Sequence, residues 1–432
     1  MTADPPPFQL EVFQNQYLPV GGNVVDAVVT VTASGNGTSA APTAAQIIMI
    51  DCSGSMDNPG TKMAAAKAAT ATAIDTLRDG VEFAVIAGRA DAQMVYPYAN
   101  ELRVASPQTR AEAKRAVAEQ VAHGGTAIGT WLSLANQLFA RSGAEMRHAI
   151  MLTDGRDQHE TRDQLTQRLR ACEGRFVCDS RGIGNDWIAD ELRLVASTLL
   201  GTADGLEDPR ELPAAFAAMT SAAMGKALAD VSLRVWTPAG ATIRFVKQAF
   251  PSVEDLTGRR TPVSERIGDY PTGAWGDESR DYHISVAVAA GAVGEEMLAA
   301  RVSLATGAGT GATVLAQALV LATWTEDTAL STKINQRVAH YTGQAELAAA
   351  IQEGLAAREA GDVETATSKL GRAVQLAAES GHEDTAKLLA RVVDVVDERT
   401  GTVRLKQRVA GVDAEIASVR SVKTIRVKKA TS

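Results

Sequence analysis

Apolar and polar positions change rhythm along the 432-residue chain. From 45 to 225, short aliphatic runs alternate with longer stretches whose apolar residues fall at helical spacing. Uninterrupted runs at 47–50 and 148–153, bounded by turn residues, predict strands buried in a parallel sheet, and the alternation predicts a doubly wound α/β domain. Further strands are expected at 81–87 and from 176, and helices at 62–78, 109–121, 130–141, 162–172 and, last of the series, 188–199. On either side the runs become strand-like. Residues 8–17 and 24–32, parted by Pro19, Gly21 and Gly22, predict an antiparallel hairpin outside that sheet. The runs 231–236, 242–248, 282–289, 297–304 and 313–324, parted by Pro, Gly and Asp clusters, predict a β-sandwich. An odd strand count and an orphan hairpin together suggest that the α/β domain is inserted into a sandwich built from both flanks, which neighbouring domain termini permit.

Helical spacing returns over 328–399, with helices at 345–358 and 363–379 joined at Gly361 and a third at 384–397. The stretch EAGDVETATSKLGRAVQLA resembles a tetratricopeptide-type hairpin. A single such unit either packs as a plain cap or offers a peptide groove, and both readings stay open. Past Gly401 the chain is basic: Arg404, Lys406, Arg408, Arg420, Lys423, Arg426, Lys428 and Lys429 face Asp413 and Glu415. A solvated tail is the ordinary reading. The sharper one makes Thr424, in SVKTIRV, a phosphorylation site read by a phosphothreonine-binding domain. The expected divisions are 1–44 (hairpin), 45–225 (α/β), 226–326 (sandwich), 327–400 (helical) and 401–432 (tail), with 1–7 disordered and 34–43 flexible.

A net charge of −8 argues against a nucleic-acid or anionic-membrane surface. No apolar stretch approaches bilayer length, and MTADPPPFQL has neither a basic region nor an apolar signal core, so no membrane span and a cytoplasmic location are expected. Cys52, Cys172 and Cys178 suit that compartment as reduced thiols, although spacing allows the last two to pair.

The chemistry is expected at strand ends. In QIIMIDCSGSM an apolar run stops at Asp51, and Ser53 and Ser55 follow at alternate positions. One tight turn thus supplies a carboxylate and two hydroxyls, a donor set for a small hard cation. At the carboxyl edge of an α/β sheet it lies where such folds bind ligands. In HGGTAIG paired glycines allow a sharp turn that presents Thr126, and AIMLTDG ends a second buried run at Asp154. His123 and His159 could lie at the rim, with exposed loop positions as their ordinary reading, and Asp157 and Glu160 could add outer-shell charge or serve the turn after the strand. Ser-rich strand ends and helix caps are the bland alternative for any one segment; three in order and in βα context favour a metal site.

These residues resemble, position by position, the metal-ion-dependent adhesion site of the von Willebrand factor A domain, with Asp51, Ser53, Ser55, Thr126 and Asp154 all present. The resemblance covers about 45–225 and implies a Rossmann-like domain. It also implies Mg²⁺, with Mn²⁺ or Ca²⁺ as alternatives, touched by Ser53, Ser55 and Thr126 while Asp51 and Asp154 act partly through water. A coordination place would remain for a carboxylate from a protein partner. QNQYLPVGG, AMGKALADV, LRVWTP, DYPTGAWGDESRDYH and RVAHYTGQAEL extend the resemblance to cytoplasmic actinobacterial A-domain proteins associated with serine/threonine kinase, phosphatase and forkhead-associated modules. Gly182 and Gly184 lack the third glycine of a dinucleotide loop, and TGAGTGA lacks the lysine of a phosphate loop. The histidines are scattered and no hydrolase motif occurs. The expectation is therefore a non-enzymatic, metal-dependent interaction scaffold, with kinase-linked signalling as its setting. A subunit of an ATPase or chaperone assembly is the alternative, and a metal-dependent hydrolase a remoter one.

Overall fold

Ile47, Ile48, Met49 and Ile50 are completely buried in the strand Ala44–Asp51 (β1), because β1 has a parallel neighbour on each side and helices over both faces. The structure, a computed structural model, describes residues 8–34 and 42–426. The prolines of 1–7, most of 34–43, and Lys428 and Lys429 lie outside them. Two units emerge: Ala41–Lys226 with Gln407–Arg420, and Met1–Ala40 with Ala227–Lys406 and Ser421–Ser432.

The first unit adds to β1 the strands Glu82–Gly88 (β2), Ala92–Tyr96 (β3), Met146–Gly155 (β4), Val177–Asp186 (β5) and Ala203–Leu206 (β6). Their order is β6-β5-β4-β1-β2-β3, all parallel except β3, with Arg103–Val104 also antiparallel on β2. Helices Thr61–Thr76 (α1), Pro107–Ala118 (α2), Ile128–Phe139 (α3), Arg162–Cys172 (α4) and Ala189–Thr198 (α5) fall within a few residues of the expected ones. The series does not end there, however. Strand β6 and the helix Leu212–Met224 (α6) follow, their short or alanine-rich sequences giving weak periodicity.

Over its described residues, as far as 426, the basic C-terminal stretch is not a solvated tail. Gly411–Arg420 (α7) belongs to this unit and buries Ile416, Ala417 and Val419. Glu415 accepts the Ala189 N–H at the start of α5 at 2.6 Å, and Arg420 pairs with Asp204 at 2.7 Å. Three apolar residues on one face override the charge pattern.

The second unit holds two sheets. One runs Phe8–Gln14, Val24–Ala33, Glu278–Ala287, Thr242–Phe250, Glu254–Asp255. The other runs Thr261–Pro262, Ile267–Trp275, Leu228–Trp236, Glu296–Thr306, Thr313–Thr325, Tyr17–Pro19. Strands from both flanks of the α/β segment therefore pair in the same sheets. Val25, Ala27, Val29 and Val31 from one sheet share a core with Val231, Leu233, Val235, Val302 and Leu304 from the other. The strand Ile267–Trp275 was hidden by Gly268, Pro271 and Gly273; the Arg234–Asp269 ion pair at 2.7 Å and a bulged register hold it in place.

Helix Val363–Ser380 follows as expected, whereas Gln336–Glu359 begins well before the expected 345 and runs on to nearly the same end. The third, Glu383–Val392, stops early: the run VDVVD at Val393–Asp397 is β-branched and pairs with Thr402–Leu405.

Candidate metal centre

Asp51 ends β1 and Asp154 stands one residue before the end of β4, two adjacent parallel strands at the point where the sheet order reverses. Outside this edge open α/β sheets form their ligand crevice. Register places Ile50 beside Leu152, so Thr153 comes next to Asp51 and its hydroxyl donates to Asp51 Oδ2 at 2.7 Å. The Ser53 amide donates to Asp51 Oδ1 at 2.8 Å, turning the chain so that the Ser53 and Ser55 hydroxyl oxygens come within 2.9 Å of each other. Ser55 in turn donates to Asp154 Oδ1 at 2.7 Å.

Thr126 is brought in by a third loop bonded to the first. The Gly54 amide donates to Gly124 carbonyl at 2.9 Å, His123 amide to Cys52 carbonyl at 2.8 Å, and Ala127 amide to Arg89 carbonyl at 2.9 Å. Gly124 has φ +80°, and Gly125 lies beneath the His159 ring, which leaves no room for a Cβ. The paired glycines thus serve both a turn and a close approach. The Ser55 and Thr126 hydroxyl oxygens then stand 3.6 and 3.7 Å from one point, the place a Cβ on Gly155 would take. All five expected side chains converge; Asp51 and Asp154 have no solvent exposure, and Ser53 and Thr126 almost none.

Burial pushes the Asp51 carboxyl up to about 6; bonds from Ser53 and Thr153 oppose the rise and the neighbouring Asp154 adds to it. The bonds it receives from Ser53 and Thr153 come from neutral groups. Asp154 is paired instead, through Oδ2, with the Lys62 ammonium at 2.8 Å. Two buried carboxylates against one lysine leave a negative charge in a nest of hydroxyl oxygens, and this donor set fits a hard divalent cation.

Several contributors escaped the sequence reading. Lys62 registered only as the start of a helix, and Thr153 only as a strand residue. Asp157 and Glu160 do more than add charge: Asp157 Oδ2 accepts the Ile128 N–H at 3.1 Å and Glu160 Oε2 the Gly129 N–H at 2.6 Å, so they cap α3 from another loop. Glu160 also pairs with Arg168 at 2.6 Å. An acidic Asp-x-x-Glu three residues after the strand-end Asp154 was the available signal. Gly184 makes room for the Lys62 stem and Gly182 for Trp187, which accounts for the Gly-x-Gly turn. All three cysteines are free and buried, Cys172 and Cys178 included.

Thr424 lies in the other unit and is 9% exposed. Its hydroxyl donates to the Ala249 carbonyl at 2.6 Å and its amide to the Pro251 carbonyl at 3.0 Å. A kinase would meet this hydroxyl only after the segment left those carbonyls. Among the described residues no helix is long and apolar enough to cross a membrane.

A doubly wound sheet with two carboxylates and three hydroxyls at its switch point defines the von Willebrand factor type A class of domain. The family model described as von Willebrand factor type A domain matches residues 45–204, and that described as von Willebrand factor type A C-terminal domain matches 375–418. A von Willebrand factor type A protein from Catenulispora acidiphila is 52% identical, over 98% of this chain and 98% of its own, with a TM-score of 0.93. The chain belongs to the von Willebrand factor type A family.

At the level of fold alone it is similar to VWA2, an ArnB paralog from Sulfolobus acidocaldarius (12% identity, 96% of this chain and 100% of that one, TM-score 0.56). It is likewise similar to the human COPII-coat protein Sec24c (8% identity, 92% and 60%, TM-score 0.54). No curated protein matches the chain.

Proposed function

We propose that this protein is a non-enzymatic, divalent-metal-dependent protein-interaction scaffold. The ion, Mg²⁺ or alternatively Mn²⁺ or Ca²⁺, is held by the Ser53, Ser55 and Thr126 hydroxyls, with Asp51 and Asp154 acting partly through water, and a partner's carboxylate takes the remaining place. The observation that carries this reading is the convergence of three hydroxyls on two fully buried carboxylates at a ligand-binding sheet edge. A cation stabilises that arrangement because the buried charge is otherwise undercompensated. Neutral oxygens leave the ion electrophilic, so it accepts an outside acid.

In this reading the α/β domain is an insertion in a β-sandwich host, and the Gln336–Glu359 and Val363–Ser380 pair is a tetratricopeptide-like appendage. The setting is kinase-linked signalling in the cytoplasm. The setting rests on sequence resemblance, and a phosphothreonine role for Thr424 further requires its segment to detach from Ala249 and Pro251.

Affinity capture from host lysate tests the function. A partner retained in Mg²⁺ should be lost with EDTA and with Asp51→Ala, each alone. A partner set that survives both treatments refutes a metal-dependent interface.

A further inference from the structure

Lys62 is only 5% exposed, yet its side chain ends in the carboxylate cluster. Its ammonium bonds Asp154 Oδ2 at 2.8 Å and lies 3.4 Å from the Ser55 carbonyl. The fold fixes it from three sides. It stands on the first turn of α1, just beyond the 3-10 turn Gly54–Asp57 that carries Ser55. Its backbone amide is tied to the Pro59 carbonyl at 3.0 Å. Its stem runs against Gly184, whose φ of +76° and missing Cβ leave the space: a Cβ there would stand 2.9 Å from Lys62 Cε. Taking an ammonium out of water is expensive, so the Lys62 charge has to be offset where it stands, and the Asp154 carboxylate does this.

Resting on the metal-site reading above, we propose that Lys62 is a positioning residue that keeps Asp154 from closing on the ion and keeps the loaded site cationic. Oδ2 of Asp154 is engaged by Lys62, and Oδ1 receives the Ser55 hydroxyl, so neither oxygen is free to reach the ion without giving up a hydrogen-bond partner. The two carboxylates balance a divalent ion, and Lys62 leaves one positive charge over. The site therefore gives up some intrinsic ion affinity and in return draws an anionic group from outside. The partner chemistry this selects is a single carboxylate, such as an exposed Asp or Glu side chain. Without Lys62 the ion is bound more tightly, because a repelling cation is gone and Asp154 is released to it, but the loaded site is neutral and takes an external acid less readily.

The experiment is titration of the full-length protein with Mn²⁺ at pH 8, followed by calorimetry and by water-proton relaxation, with sodium acetate as the probe acid. Wild type, Lys62→Met, Lys62→Gln and Asp154→Asn are compared, with cooperative thermal unfolding required of each. The two lysine variants should bind Mn²⁺ about tenfold or more tightly than wild type, the gain should shrink when either is combined with Asp154→Asn, and displacement of Mn²⁺-bound water should need several-fold more acetate. Wild-type Mn²⁺ binding with equal or weaker binding in both folded lysine variants overturns the role of Lys62 and leaves the metal-site reading standing. Absence of Mn²⁺ binding in wild type and variants alike overturns both.

Discussion

The helix that follows Thr126 has no cap of its own: Ala127 supplies no side-chain bond to α3. Asp157, on the loop after Asp154, replaces it. Its Oδ2 accepts the Ile128 N–H at 3.1 Å, and its Oδ1 accepts the amides of His159 at 3.2 Å and Glu160 at 3.1 Å. Asp157→Ala removes a helix cap and two turn bonds together, so the expected cost is about 1–2 kcal/mol, toward the upper end for cap removal. In local opening that is a factor of about 5–30.

The cost depends on pH in a definite direction. Burial first, then Glu160, pushes the Asp157 carboxyl up to about 7, although amide bonds from Ile128 and His159 work against them. A carboxyl raised in the folded chain holds its proton more tightly there than when unfolded. The stability it confers is therefore full in acid, below the ordinary aspartate value, and is lost as pH climbs through 7. Amide hydrogen exchange at Ile128 and Gly129, in chelator, reads this as protection factors in wild type and variant at pH 5.5 and pH 8. Protection should fall in Asp157→Ala, and fall more at pH 5.5. Unchanged protection, or a larger loss at pH 8, would refute the capping argument.

Two further outcomes follow from buried polar contacts. Thr153→Val keeps the side-chain shape but takes from Asp51 Oδ2 its 2.7 Å donor and from the Gly155 amide its 3.2 Å acceptor; urea unfolding in chelator should show a loss of about 1–3 kcal/mol, and a loss below a few tenths would mean that these hydroxyl bonds are not needed. Thr424 should stay unmodified when the native protein is treated with a serine/threonine kinase and become a substrate only after denaturation, by intact mass and peptide mapping. Stoichiometric modification of the native chain would show that the segment leaves Ala249 and Pro251 readily.

Much of the α/β unit could be foreseen because its determinants are local. An aliphatic run ending in Asp51 or Asp154 is buried on both faces wherever the neighbouring strands come from, and Ser53 and Ser55 ride on the same turn as Asp51. The alternation of Val25, Ala27, Val29 and Val31 is likewise enough to mark a strand with one face in the core; that Val28 and Thr30 on its other face are buried as well was not legible there. Tertiary packing decided the rest. Gly268, Pro271 and Gly273 read as loop until Leu228–Trp236 provides a bulged partner, and the basic stretch after Gly401 reads as tail until Ile416 and Val419 find an apolar surface. Lys62 and Asp154 are separated by 92 positions. Nothing along the chain relates an ordinary helix lysine to that carboxylate; only the approach of α1 to the end of β4, with Gly184 opening the way, makes a buried ion pair of them.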